Sequence, residues 1–179
     1  MQKTMGHSTN RIRTFDLITS AMSIALVFVA TMLLNIKLPI TANGGLVHLG
    51  TGMLFIISIL FGPKKGAIAG AFGMGLFDLL SGWTLWAPIS FVARGLQGFI
   101  VGKIAWSRGR SGNSLMLNLI ATIISMPPMI AVYFIGEGFL YGNWIAPAAS
   151  IPGDIVQNAI GLLVSIPVCM FLKKIPTFK

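Results

Sequence analysis

Apolar and polar positions alternate along this chain on the scale of whole segments rather than of single helix faces. Long apolar runs cover residues 14–36, 46–62, 66–82, 88–106, 114–135 and 148–172. At ~1.5 Å per residue, the first is long enough to cross a ~30 Å hydrocarbon core as a helix. The gaps between runs are short and punctuated. Residues 37–45 form a Pro/Asn/Gly-rich loop, and Pro63-Lys64-Lys65-Gly66 reads as a basic hairpin. Trp83 to Trp86 is an aromatic gap, 107–113 a basic one, and 136–147 a polar one carrying Glu137, Tyr141, Asn143 and Trp144. Pro127-Pro128 interrupts the fifth run. The pattern predicts an all-α membrane protein: one bundle of six transmembrane helices over 1–179, with short tails at about 1–13 and 173–179.

Composition agrees with this picture. Of 179 residues, 55% are hydrophobic and 9% charged, against about 25% charged in soluble domains. Mean hydropathy is +0.84. The net charge of +9 would suggest nucleic acid if the basic residues lined one soluble face. Here they fall in the gaps, which makes them a topology signal and argues against a nucleic-acid partner. With six spans, eleven of the thirteen Lys and Arg fall on the side of the two termini. Lys37 is on the other side, and Arg94 is inside a span. The positive-inside rule then puts both termini in the cytoplasm. The first run is too long for a signal-peptide core and lacks a small-residue cleavage site, so it reads as an uncleaved span. The single cysteine, Cys169, allows no intrachain disulfide and no multi-cysteine metal site.

The polar residues inside the runs carry the chemistry, because ionisable groups in apolar helices need a partner or a task. Asp78 sits about 6 Å below the outer end of the third run and Arg94 ~9 Å below the same surface. Asp154 and the pair Gln157–Asn158 lie one turn apart near the start of the sixth run, and His48 opens the second. All lie toward the outer side, under gaps containing Trp83, Trp86, Tyr141 and Trp144. Together they describe a polar, aromatic-walled pocket suited to a small flat polar ligand. Other readings stand beside this one. Arg94 could simply pair with Asp78 or Asp154. The tryptophans could be interfacial anchors. His48 could be a hydrogen-bonded helix-end residue, and Asp154 could cap a helix beginning at Pro152. The third run has small residues four apart (Gly66/Gly70, Ala67/Ala71, Ala71/Gly75), as does the fourth (Gly98/Gly102). Such spacing lets helix backbones approach closely. Ala21 and Ala25 repeat it in the first run, for internal packing or for docking another membrane protein.

Catalytic motifs are missing. GPKKGAIAG is not a Walker A sequence, and there is no H-E-x-x-H or G-x-S-x-G. Two histidines and four carboxylates leave no convincing nucleophile–base pair. Nor does the chain show the internal repeat common in self-sufficient secondary transporters.

The stretches NGGLVHLGTGMLFIISILFGPKKGAIAGAFGMGLFDLLSGW and APISFVARGLQGFIVG, with the later segment 148–158, resemble the substrate-binding (S) components of energy-coupling factor vitamin transporters. Within these they look like the group assigned to hydroxymethylpyrimidine or pyridoxine, which has riboflavin-type relatives. The resemblance implies a multi-pass protein of a prokaryotic plasma membrane that binds a vitamin on the outer side without cofactor or catalysis. It implies a transmembrane coupling subunit and two ATPase subunits as partners, and a subunit that topples in the bilayer to deliver its cargo. It also implies ligand contacts among Asn43, His48, Trp83, Arg94, Tyr141, Gln157 and Asn158. The family's A-x-x-x-A docking face matches Ala21-Met22-Ser23-Ile24-Ala25. An S component for riboflavin or pantothenate is the alternative within this class, and a small intramembrane enzyme or channel the alternative outside it.

Overall fold

The computed structural model describes residues 5–33, 35–37 and 46–175. In chain order these form α1 (Met5–Leu33), β1 (Asn35–Lys37), β2 (Leu46–His48), α2 (Gly50–Phe61), α3 (Pro63–Leu80), α4 (Ala87–Ala105), α5 (Leu115–Tyr141) and α6 (Ile145–Leu172). The helical expectation holds with one addition. Residues 46–48, expected to begin the second span, are a strand paired antiparallel with β1, Asn35 opposite His48.

Several boundaries differ from the apolar pattern. The N-terminal polar segment is helical from Met5 onward. The basic hairpin is not a hairpin: the chain reverses at Gly62, whose φ of +85° favours glycine, and Pro63 starts α3 with Lys64 and Lys65 in its first turn. α5 runs through Pro127-Pro128 without a break and continues to Tyr141. Membrane helices tolerate such prolines where neighbours satisfy the freed backbone groups. α6 starts at Ile145, where Asn143 Oδ1 accepts from the amides of Ile145 (3.1 Å) and Ala146 (2.9 Å). Asp154 is therefore not a cap at Pro152; both lie inside α6.

Three helical segments are long and apolar enough to span a bilayer: Thr14–Leu33, Leu115–Tyr141 and Ile145–Leu172. α2, with 12 residues, covers only ~18 Å. It is the core helix, with Leu54, Phe55 and Ile59 fully buried. Its inner half packs on Val101 and Ala105 of α4, Ala121 of α5, and Ile166 and Cys169 of α6.

Small residues bring α3 and α4 together. A Cβ on Gly98 would strike the Gly66 carbonyl, one on Gly70 the Arg94 carbonyl, and one on Gly102 the backbone of Pro63. The glycine pairs therefore set a backbone-on-backbone contact between α3 and α4. Gly73 does the same against Val27 and Ile24 of α1. Gly98→Ala is expected to lower the thermal midpoint in detergent by ~3–10 °C, from an overpacking cost of ~1–3 kcal/mol. An unchanged midpoint would show that this contact does not set the helix spacing.

The bundle has two chemically different ends. At one, Lys65 of α3 pairs with Asp16 of α1 (2.6 Å) and donates to Ser20 Oγ (2.8 Å). Trp106 Nε1 donates to Ile59 O (3.0 Å), and Lys173 donates to Ser111 O (2.7 Å). The start of α1, the α2–α3 and α4–α5 connections and the end of α6 thus share one basic end. The opposite end holds a polar cleft.

A polar cleft at the end opposite the basic residues

The cleft has a volume of about 110 Å³ and is lined from α3, α4, α5 and α6, from β2 and from the connection between α3 and α4. Arg94 is its structural centre. It sits two turns into α4 and is only 3% exposed. Its Nε donates to Tyr133 Oη of α5 (3.2 Å), and one terminal nitrogen donates to Thr51 Oγ1 of α2 (3.3 Å) and Gln97 Oε1 (3.0 Å). The guanidinium also lies 5.2 Å from the centre of the Tyr133 ring. Asp78 and Asp154 line the same cleft as Arg94. Neutral oxygens of Tyr133, Thr51 and Gln97 hold the guanidinium, and its planar fork suits several acceptors at fixed angles.

From Arg94 a hydrogen-bonded network runs in two directions. Gln97 Nε2 donates to Asn158 Oδ1 (2.6 Å), and Asn158 Nδ2 donates to Asp154 O (2.7 Å). Toward the strands, Gln157 Nε2 reaches both Thr51 Oγ1 (2.9 Å) and His48 Nε2 (2.9 Å). On the α5 side, Ser90 Oγ and Tyr133 Oη are 2.8 Å apart. A buried network of this kind fixes each member's orientation because losing one bond exposes the next group.

Of the residues singled out from sequence, His48, Asp78, Trp83, Arg94, Tyr141, Asp154 and Gln157 come together around the cleft. Asn158 does not line it; fully buried, it is a second layer that holds Gln97. Asn43 lies outside the described residues. Trp144 is not part of the wall. It stacks on Phe134 at 5.5 Å and closes over Gly138, on the back of α5. The aromatic wall is Trp83, Trp86 and Tyr141, with edge-to-face contacts at 5.2 and 5.8 Å.

Ser90, Tyr133, Glu137, Ser150 and Gly153 of the lining, and Thr51 and Gln97 of the network, are not marked by the sequence pattern. Ser90 and Gln97 lie four before and three after Arg94, on one helix face, so helical spacing from Arg94 would have found both. Glu137 falls in the polar gap of the sequence but belongs to α5. Tyr133 sits in an apolar run with no pattern to mark it.

The helix-lined cleft is rich in acceptors and walled by aromatics, so it can hold and orient a ligand. Among the described residues no group of three or more His, Cys, Asp or Glu could hold a metal ion. Known proteins bear on what it holds. The family model for the ECF-type riboflavin transporter, S component, matches residues 11–174. An uncharacterized protein of Pyrococcus woesei is 32% identical over 148 residues, 83% of this chain and 95% of that one. The thiamine precursor transporter HmpT of Lactococcus lactis is 30% identical over 141 residues, 79% of this chain and 77% of that one. A solved structure of the S component of a bacterial ECF transporter superposes with a TM-score of 0.69 over 90% of this chain and 97% of that chain, at 22% identity, a likeness of fold. With nearly its whole length matched, the chain belongs to the family of the ECF-type riboflavin transporter S component, membrane-embedded substrate-binding subunits that are not enzymes.

Proposed function

We propose that the chain captures a small single-ring vitamin, of the hydroxymethylpyrimidine or pyridoxine type, for ATP-driven uptake with a transmembrane coupling subunit and two ATPases. The observation that carries this is the cleft itself: about 110 Å³, aromatic on one wall and acceptor-rich on the others. A flat ring stacks on aromatic faces while a few polar groups fix its orientation. The HmpT relative, a thiamine precursor transporter, supports the pyrimidine. Riboflavin is the second reading, favoured by the description of the family model; its three fused rings and ribityl chain need more room.

The orientation follows from charge. Lys64, Lys65, Lys103, Arg108, Arg110, Lys173 and Lys174 belong to the basic end. That end faces the cytoplasm by the positive-inside rule, the cleft opens outward, and both termini are cytoplasmic. Partner docking is assigned to α1. Ala21 and Ala25 are exposed, whereas Ser23 and Val27 of the same helix are buried.

Calorimetry on the purified chain in detergent, with a panel of hydroxymethylpyrimidine, pyridoxine, riboflavin and pantothenate, tests the ligand. One-to-one binding of either single ring, tighter than that of the other two vitamins, is the expected result. Preferential binding of riboflavin or pantothenate would keep the family and overturn the ligand assignment.

A further inference from the structure

Two buried side-chain oxygens have no hydrogen-bond partner among the described residues: Asn118 Oδ1 and Glu137 Oε2. Asn118 belongs to the basic end, where its amide nitrogen donates to Gly112 O (2.8 Å). Glu137 is different. It is 8% exposed and lines the cleft. Ser150 and Trp86 line the same cleft, yet the Ser150 hydroxyl is directed to Ala146 O (3.4 Å), and no donor among the described residues reaches Oε2.

A buried carboxylate oxygen without a donor is costly, so the position demands one from outside the chain. The surroundings specify its kind. Asp78 and Asp154 line the same cleft, and Arg94, the nearby cation, directs N–H groups to Tyr133, Thr51 and Gln97. The cleft is therefore rich in acceptors and walled by the electron-rich faces of Trp86 and Tyr141. A ligand edge carrying N–H groups of partial or full positive charge complements it; an edge of oxygen acceptors does not. Glu137 is also held in place. The last turn of α5 is closed from behind by Trp144, whose ring occupies the space a side chain on Gly138 would need.

We propose that Glu137 is a specificity-determining residue that accepts an N–H from an amino-substituted ring. On an aminopyrimidine edge, the amino group donates to one carboxyl oxygen. The neighbouring ring nitrogen and the other oxygen share a single proton. This rests on the single-ring reading above and adds which edge of the ring is read.

The test compares hydroxymethylpyrimidine with its analogue in which the exocyclic amino group is replaced by an oxo group, by calorimetry on the full chain in detergent. Wild type is expected to favour the amino compound by ~10–100-fold, as for a hydrogen bond to a charged group. Glu137→Gln is expected to reduce that preference at least ~10-fold, by weakening the amino compound while leaving the oxo analogue equal or tighter. Wild type binding both equally, or Glu137→Gln keeping the wild-type ratio, overturns the role of Glu137 and leaves the single-ring reading in place. Wild type binding neither pyrimidine but another vitamin overturns that reading and the Glu137 role with it. If Glu137→Gln does not fold, the wild-type ratio alone decides: a preference of ~10-fold or more supports the proposal, and equal affinities overturn it.

Discussion

Replacing Ala21 and Ala25 together by leucine is expected to abolish coupled uptake while leaving ligand affinity within about twofold of wild type. The argument is geometric. Both alanines lie on the outward face of α1, flanked by exposed Met22 and Leu26. The opposite face, with Ser23, Val27 and Thr31, is buried, and Val27 packs against Gly73 of α3. Leucine at the outward positions meets only lipid in the isolated subunit, so neither the bundle nor the cleft should respond. Against a partner helix the outcome differs. Two alanines one turn apart allow backbone approach, whereas leucines hold helix axes at the usual ~8–10 Å or more. Uptake of labelled vitamin, in cells that also supply the coupling subunit and ATPases, should fall to the background of cells lacking this chain. Ile123→Leu, on the exposed face of α5, is the control and should transport normally. Wild-type uptake by the double variant would move the docking face away from α1.

The polar cleft was more legible than the helix boundaries, for a physical reason. A charge in an apolar run is costly wherever the helix ends, so Asp78, Arg94 and Asp154, which line the cleft, stand out by their presence alone. Boundaries rest on glycine and proline, and in this bundle those residues serve packing as often as turning. Gly136 and Gly138 read as a loop. In the fold they are helical, one against Ile89 and the other against Trp144, and Glu137 between them belongs to α5. Pro127, Pro128, Pro152 and Pro167 likewise lie inside helices. The true start of α6 had a readable signal in Asn143, whose side chain caps it. The hydrogen-bond partners of Arg94 were not legible for another reason. Sequence shows which charges exist but not that Thr51, Gln97 and Tyr133, from three helices, converge on the guanidinium. Neutral acceptors leave no charge pattern to find.

Arg94→Met is expected to reduce affinity by at least ~100-fold and to lower the thermal midpoint by roughly 10 °C, the latter from a loss of ~3–5 kcal/mol on breaking a buried charged network. Arg94 joins α4 to α2 through Thr51 and to α5 through Tyr133. Through Gln97 and Asn158 it also reaches α6. Without it, oxygens on Thr51, Gln97 and Tyr133 lose a donor at once, at ~1–3 kcal/mol for each one left unsatisfied. The ligand side suffers as well. Thr51 Oγ1 receives both Arg94 and Gln157, and Gln157 in turn holds His48. Removing the guanidinium therefore frees groups on the cleft wall that Arg94 does not touch. Arg94→Lys separates charge from shape, since an ammonium keeps the charge but cannot reproduce the planar fork. It should recover part of the thermal loss and remain at least ~10-fold weaker in binding, because a point charge cannot hold Tyr133 and Gln97 at their present angles. A lysine variant equal to wild type in both measurements would mean that the cation alone matters. A methionine variant that binds normally would mean that the network holds the helices together without shaping the ligand site.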